Sequence, residues 1–450
     1  MRENITDKFI DDLDALRGKP FSDSAVIQAK KCLLDYLGAT FAGARMLEEK
    51  GNELLHSLGD SEGDVAVIGF NKKASVMDAT LINGLSAHIA ELDDGVRFGV
   101  LHPGAPIFSA LLPVAQNEKI AGTDFLTGVI IGYEAAIRIA SAMQPNHYSM
   151  GYHPTATCGS IGAAIGVGAM LGFSKAQMKD ALSSVAISSS GMLKVIEDGS
   201  DLKPFNSSRA ALTGLLSSFM ARAGFKGLDD VLAGPIGFLA MMAKEYDVSH
   251  LERKDEDSLR IEQVYFKPYA SCRHTHPAIE AALRIKQENS ICVEDIKSIK
   301  ITTYKGVIGK HDHTEIRGVA SAKMSIPFST ALAIVVGKAG LDDFSDETVN
   351  NAQIIALTNK TVVCADEKIS SLVPQKRAAI VAIEMFNGTT YSERVDFPRG
   401  EPENPLSEDE IKEKFIALAM YGNKSEEECR EIIEVVWNIQ KEAHNLFSYL

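Results

Sequence analysis

The sequence predicts a mainly α fold: an all-helical domain formed from both chain ends plus a smaller inserted α+β lid domain. Three observations carry this reading. Up to about Lys244, apolar residues recur at helical spacing. Beyond Val248 the chain turns to short β-branched runs and an Asn387-Gly388 hairpin signal. After the structure-breaking stretch from Pro398 to Pro405, a Ser407-x-x-Glu410 capping box restarts helix. The boundaries that follow are 1–262 for the first part of the helical domain, 263–400 for the α+β lid domain and 401–450 for the C-terminal part of the helical domain. A chain of 450 residues has the length of two or three structural units.

Ser22 to Phe41 carries Val26, Ile27, Ala29, Cys32, Leu33, Leu34, Tyr36 and Leu37 at helical spacing, with cap residues at Ser22-Asp23-Ser24. Helices rich in small residues are expected over Ser75–Leu92, Ala105–Glu118, Asp124–Met143, Thr157–Leu171 and Ser207–Ala223. Gly and Ala on their faces let helices approach closely. Strands are expected at Ile296–Tyr304, Thr361–Cys364, Ala379–Phe386 and Thr390–Phe397, with helices over Pro277–Gln287 and Ser325–Val336 between them. Helices from Ser407 to Met420 and from Ser425 to about His444 close the chain.

Hydrophobic content of 45% and charged content of 24% are those of a globular protein able to bury a large core. The formal net charge of -14 argues against a nucleic-acid partner or an anionic membrane surface, both of which require basic patches. The start, Met1 to Lys8, is mixed in charge and has no apolar signal core, and the apolar run from Ile161 to Phe173 is too short for a membrane span. The six cysteines lie far apart without a Cys-x-x-Cys pair, which fits reduced thiols and a cytoplasmic location.

Within this acidic chain, cations and proton carriers gather beside prolines in Leu101-His102-Pro103-Gly104, Tyr152-His153-Pro154-Thr155, Leu202-Lys203-Pro204-Phe205, Phe266-Lys267-Pro268-Tyr269 and Cys272-Arg273-His274-Thr275-His276-Pro277. Folding that brings these groups together makes a pocket for a carboxylate-bearing small molecule. Histidine suits proton transfer near neutrality, lysine stabilises a developing enediolate, and Arg209 and Arg273 suit bidentate grip of a carboxylate. Glu91, Asp93 and Asp94 crowd a helix C-terminus, where the helix dipole disfavours negative charge. Cationic neighbours or a catalytic base would explain them; a solvated acidic loop is the competing reading.

His274-x-His276 and His311-x-His313 raise the question of a metal, but no Cys or acidic third ligand stands at a familiar interval and the second pair is expected in an exposed polar loop. No metal is therefore expected. The glycine-rich run from Gly159 to Gly172 lacks a dinucleotide fingerprint and is read as helix packing, and Ser188-Ser189-Ser190-Gly191 lacks the nucleophile-elbow pattern.

The ordered set of motifs resembles the MmgE/PrpD family, whose activities include 2-methylcitrate dehydratase, cis-aconitate decarboxylase and iminodisuccinate epimerase. It comprises Asp35-Tyr36-Leu37-Gly38, the acidic segment before His102-Pro103, Gly132-Tyr133-Glu134, His153-Pro154-Thr155, Lys203-Pro204, Lys267-Pro268-Tyr269 with Cys272 and His276, Ala322-Lys323-Met324-Ser325 and Asn404-Pro405-Leu406. The resemblance implies a homodimer, no metal and no organic cofactor, and matching site positions at Glu91, Asp93, His102, His153, Lys203, Lys267, Cys272 and His276. The chain departs from the family pattern at several points. Glu91-Leu92-Asp93-Asp94-Gly95 replaces a common Asp-Phe-Asp-Asp-Thr, and Asn206 with Ser207-Ser208 replaces a histidine and glycine. Cys272 stands where decarboxylase-like members have histidine, and Phe328 where some have tyrosine.

The expected function is that of a cofactor-independent hydro-lyase, similar to 2-methylcitrate dehydratase, acting on a small hydroxy di- or tricarboxylate. Its catalytic residues are expected among His102, His153, Lys203, Lys267, Asp93 and Glu91, with Arg273, His276, Cys272, His274 and Arg209 binding substrate. The alternatives, in order, are an epimerase of a small dicarboxylate, a decarboxylase of the cis-aconitate type, and a non-catalytic carboxylate-binding protein.

Overall fold

Proline sets where several helices of this chain begin. In the computed structural model, which describes residues 4–59, 61–196, 200–253 and 257–450, the helices Pro154–Met170, Lys203–Arg222 and His276–Asn289 carry proline in their first turn. Gly104–Glu118 starts directly after Pro103. Proline fits there because a first-turn N–H has no intrahelical partner and the ring holds φ near the helical value. The expected starts at Thr157 and Ser207 are therefore too late.

Among the described residues helix dominates, so the protein is mainly α. The chain divides into two units: Met1–Leu193 with Leu202–Tyr265 and Ser407–Leu450, and Lys194–Asp201 with Phe266–Leu406. In the first unit the helix Asp23–Met46 is capped by the Ser22 hydroxyl, which accepts from the Ala25 N–H at 3.3 Å. It runs past the expected end at Phe41 because Ala42, Gly43 and Ala44 extend its buried face.

The helices Gly122–Met143 and Pro154–Met170 meet at glycine. A Cβ on Gly132 would stand 2.8 Å from the Gly162 carbonyl oxygen, and one on Gly162 would stand 2.8 Å from that of Gly132. Backbones this close leave no room for side chains, so the glycine-rich run is a helix-packing surface. Among the described residues Gly122–Met143, and not the Ile161–Phe173 run, is the helix long and apolar enough to cross a membrane by length and composition. Nearly all of it is buried within the protein, and it carries the buried Glu134–Arg138 ion pair at 2.7 Å.

A small antiparallel ribbon, β1 (Val65–Val67) with β2 (Lys72–Ala74), interrupts the helices and has no counterpart in the sequence reading. The last predicted helix is divided at Asn438 into Glu426–Trp437 and Ile439–Leu446. The Ser407–Glu410 capping box forms as read, with the Glu410 N–H donating to the Ser407 hydroxyl at 3.1 Å.

The second unit holds a four-stranded sheet in the order β4 (Thr361–Ala365), β3 (Ile296–Thr303), β5 (Ala379–Met385), β6 (Thr390–Val395). β3 pairs in parallel with β4 and antiparallel with β5, and β5 is antiparallel to β6. Ala379, Val381, Ile383 and Met385 alternate inward along β5, the period-2 pattern of a sheet with one buried face. The β5–β6 hairpin turns at Asn387-Gly388: Gly388 has φ 87°, and the Asn387 side-chain oxygen accepts from the Thr389 N–H at 2.9 Å.

Candidate active site

The helix Val76–Ile89 ends in the acidic segment, and the residue that turns the chain there is Glu91, at φ 59°. A left-handed position after a helix is usually glycine; a side chain held there costs about 1–3 kcal/mol and needs support from its surroundings. Two lysines supply it. The Lys203 ammonium pairs with the Glu91 carboxylate. From the C-terminal helix Glu408–Tyr421, Lys414 donates to the Leu92 carbonyl at 2.7 Å and to Asp35 at 2.5 Å. The cationic neighbours that this acidic helix end demanded are thus in place, and the solvated-loop reading is set aside, because Glu91, Asp93 and Asp94 are buried.

Each acid has its own partner. Asp93 accepts from the His88 ring at 2.7 Å and lies 3.6 Å from Nδ1 of His102. Asp94 accepts from the Tyr133 hydroxyl at 2.6 Å and the Gly104 N–H at 3.0 Å, which caps the Gly104–Glu118 helix. Burial pushes the Asp94 carboxyl up to about 7; the Tyr133 hydrogen bond opposes this, and the Asp35 and Asp93 charges add to it. Gly95 lies against Tyr265, whose phenol fills the space a side chain there would need. Gly95 and Tyr265 also exchange backbone hydrogen bonds of 3.1 and 2.8 Å.

The proton positions of two histidines follow from their partners. His102 Nδ1 meets the Asp94 main-chain carbonyl at 2.6 Å; a carbonyl only accepts, so Nδ1 carries the proton and the lone pair is on Nε2. His153 is the reverse case. The Asn206 amide nitrogen donates to the Met192 carbonyl at 3.2 Å, and the same nitrogen lies 3.1 Å from His153 Nδ1, which must therefore accept. Burial first, then the charges of His88, Lys203 and His102, push the His153 pKa well below its ordinary value, so the ring is neutral and carries its proton on Nε2.

The His88 ring centre lies 5.1 Å from that of His102 and 6.3 Å from that of His153. His88 is sealed at 0% side-chain exposure and Asp93 is nearly so at 2%, whereas His102 keeps 15% and Lys203 11%. One acceptor histidine, one donor histidine and one ammonium thus gather over a buried His–Asp support.

Of the expected residues, the first unit gathers Glu91, Asp93, His102, His153 and Lys203. It adds His88, which motif reading passed over, and Asn206, which motif reading noted only as a departure from the family pattern. His88 had a usable signal: a histidine in the last turn of a helix, where positive charge is favoured, just ahead of an acidic run. Arg209 donates to the Ser190 carbonyl and is half-buried.

The second unit holds the other expected residues. Lys267 is fully buried. Arg273 pairs with Glu401, both nearly sealed, so its guanidinium already grips a carboxylate of the protein itself. His276 opens the helix His276–Asn289 with its Nε2 3.2 Å from the Ser271 carbonyl and its ring edge-on to Tyr269. His274 meets the Tyr304 hydroxyl through Nδ1 and lies ring to ring with His311, centres 4.8 Å apart. Here the sequence reading is corrected: His311 is buried, not in an exposed loop, and a cysteine joins the histidines through space, not through a familiar interval. The donor atoms of Cys272, His274 and His311 lie within 4.8 Å of one another. Phe328, in place of a tyrosine, is fully buried beside Phe344.

Comparison with known proteins agrees with the motif set. Residues 9–251 match the MmgE/PrpD N-terminal domain and residues 269–439 the MmgE/PrpD C-terminal domain. The chain is similar to the cis-aconitate decarboxylase of Mus musculus, 24% identical over 477 residues that cover 99% of this chain and 92% of that protein. It is 25% identical to the cis-aconitate decarboxylase of Aspergillus terreus over 439 residues, 92% of this chain and 89% of that protein. It is also 29% identical to a probable 2-methylcitrate dehydratase of Saccharomyces cerevisiae over 174 residues, 36% of this chain and 34% of that protein. The two domain matches span most of the sequence, and the chain belongs to the MmgE/PrpD family.

Proposed function

We propose that this protein is a lyase that takes a proton from the carbon beside a carboxylate of a small hydroxy di- or tricarboxylate and expels water. The observation that carries the reading is the complementary pair of tautomers: His102 offers a lone pair at Nε2 while neutral His153 offers an N–H at Nε2. A proton next to a carboxylate is very weakly acidic, so its removal requires a base together with stabilisation of the enediolate.

In the forward direction the C–H electron pair moves toward the carboxylate as His102 Nε2 takes the proton. Asp93, 3.6 Å from His102 Nδ1, stabilises the imidazolium that forms, and His88 holds Asp93 in place. Lys203 has three N–H donors; Glu91 takes one, and the substrate carboxylate takes another as its charge grows. The C–O bond then breaks, the enediolate pair becomes the alkene, and the departing hydroxide takes the proton from the His102 imidazolium and leaves as water, with the His153 Nε2–H donating a hydrogen bond to it. Side chains carry every step.

A second reading is supported by the relatives that match nearly the whole chain, which are named cis-aconitate decarboxylases. Loss of CO2 from an unsaturated tricarboxylate gives the same carboxylate-stabilised carbanion, which a protonated His102 would then quench. Both reactions need the same three groups and differ in the bond that breaks.

Substitution tests the assignment. His102→Asn keeps a donor near the Nδ1 position and removes the Nε2 base; kcat should fall roughly 100- to 10,000-fold with the fold intact by circular dichroism. Turnover unchanged in this variant would remove His102 from the chemistry.

A further inference from the structure

The second unit contains a cluster to which the steps proposed above give no role, although Cys272 and His274 were expected from the sequence to bind substrate. Cys272, His274 and His311 come from two separate stretches of chain, and their donor atoms lie within 4.8 Å of one another. Each element that presents them is tied down. The Cys272 N–H donates to the Lys323 carbonyl at 2.9 Å, and the Thr275 N–H donates back to the Cys272 carbonyl at 2.9 Å. His311 Nδ1 donates to the Met324 carbonyl at 2.9 Å, which places its lone pair on Nε2. His274 Nδ1 meets the Tyr304 hydroxyl.

An imidazole anchored through one nitrogen to a carbonyl or hydroxyl presents the other in a fixed direction, the arrangement that surrounds most metal-binding histidines. Two imidazoles and a thiolate form a borderline-soft donor set. A tetrahedral zinc ion with bonds of about 2.0–2.3 Å spaces such donors roughly 3.3–3.8 Å apart. Small side-chain rotations close that gap from the observed spread.

We infer that Cys272, His274 and His311 form a binding site for one divalent transition-metal ion of the zinc class, with a fourth position open to water or an anion. Binding removes the Cys272 thiol proton to solvent, so the thiolate and the dication together add a single positive charge, which a fourth-position hydroxide or carboxylate cancels.

Cobalt(II) reports this site without reference to turnover, so the outcome stands apart from the lyase reading. Chelator-stripped, reduced protein is titrated with Co2+ and followed by absorption. The expected result is one equivalent bound, with the visible bands of tetrahedral cobalt and a near-ultraviolet thiolate-to-cobalt band, all bleached by added Zn2+. Cys272→Ser, at a half-buried position, should remove the thiolate band while the far-ultraviolet spectrum is unchanged. Tyr304→Phe, which leaves the ring and removes the anchor of His274, should weaken binding about tenfold or more. Absence of the thiolate band in the parent protein, or its survival in Cys272→Ser, would overturn the assignment.

Discussion

A backbone carbonyl sets the tautomer of His102 and an amide that of His153, leaving a lone pair on Nε2 of the first and a proton on Nε2 of the second. Their burial has a consequence for pH. His153 titrates below its ordinary value when folded but near 6.5 when unfolded, so its contribution to stability is present above about pH 6.5 and is lost as pH falls below it. Asp94 has the opposite sign. Its folded pKa of about 7 lies above the unfolded value near 4, so its contribution is present below about pH 4 and is lost as pH rises toward 7. Denaturant titrations from pH 5 to 8 should show His153→Gln losing less stability than the parent on the acid side, by at most about 1.4 kcal/mol per pH unit. Asp94→Asn should lose less than the parent as pH rises from 5 toward 7, with the two curves running parallel above it. Parallel curves for parent and variants would contradict the stated burial. At this scale His102, His153 and Lys203 were legible because each stands in a distinctive proline context, and the acidic segment because it offends the helix dipole. His88 had only the signal of a histidine in a last helical turn ahead of acids, and its link to Asp93 becomes visible only with the turn at Glu91. The hydroxyl missing at Gly95 has a physical counterpart in Tyr265, which reaches the same space from a distant segment.

The helices that carry the site are set by proline at their starts and glycine at their crossings. His102-Pro103, His153-Pro154 and Lys203-Pro204 each put a proton carrier or a cation at or beside a helix N-terminus, a place that favours bound anions and disfavours an imidazolium, whereas Lys267-Pro268 lies outside any helix. In the proposed reaction that placement would serve a carboxylate substrate, and burial keeps the His153 ring neutral. The crossing of Gly122–Met143 with Pro154–Met170 holds His153 in register. Gly162→Ala, whose methyl would meet the Gly132 carbonyl and the Ala136 side chain, should cost about 1–3 kcal/mol in a denaturant midpoint measurement. An unchanged midpoint would mean that the crossing relaxes freely. Helix and hairpin periods made most elements readable, down to the turn at Asn387-Gly388. The ribbon of β1 and β2 was hidden because three-residue strands leave no period to detect. The break at Asn438 was hidden because the apolar pattern continues through it.

Across the whole molecule a formal net charge of -14 coexists with buried sites rich in histidine and lysine. The sequence pattern changes beyond Val248, with expected boundaries at 262/263 and 400/401; the structure divides the chain at Tyr265–Phe266 and Leu406–Ser407 and also assigns Lys194–Asp201 to the second unit. Which donors of the second unit meet one another was not visible, because Cys272 and His311 are joined by folding and by no sequence interval. The identity of the substrate acid likewise rests on cavity shape, which motifs do not encode. The most direct test of the lyase reading is proton NMR of the purified protein in heavy water with citrate, 2-methylcitrate, cis-aconitate, malate, tartrate and iminodisuccinate. The account predicts, for at least one acid, deuterium entering the carbon beside a carboxylate together with a new alkene signal, both strongly reduced in His102→Asn. Silence across the panel, or exchange undiminished in that variant, would contradict it.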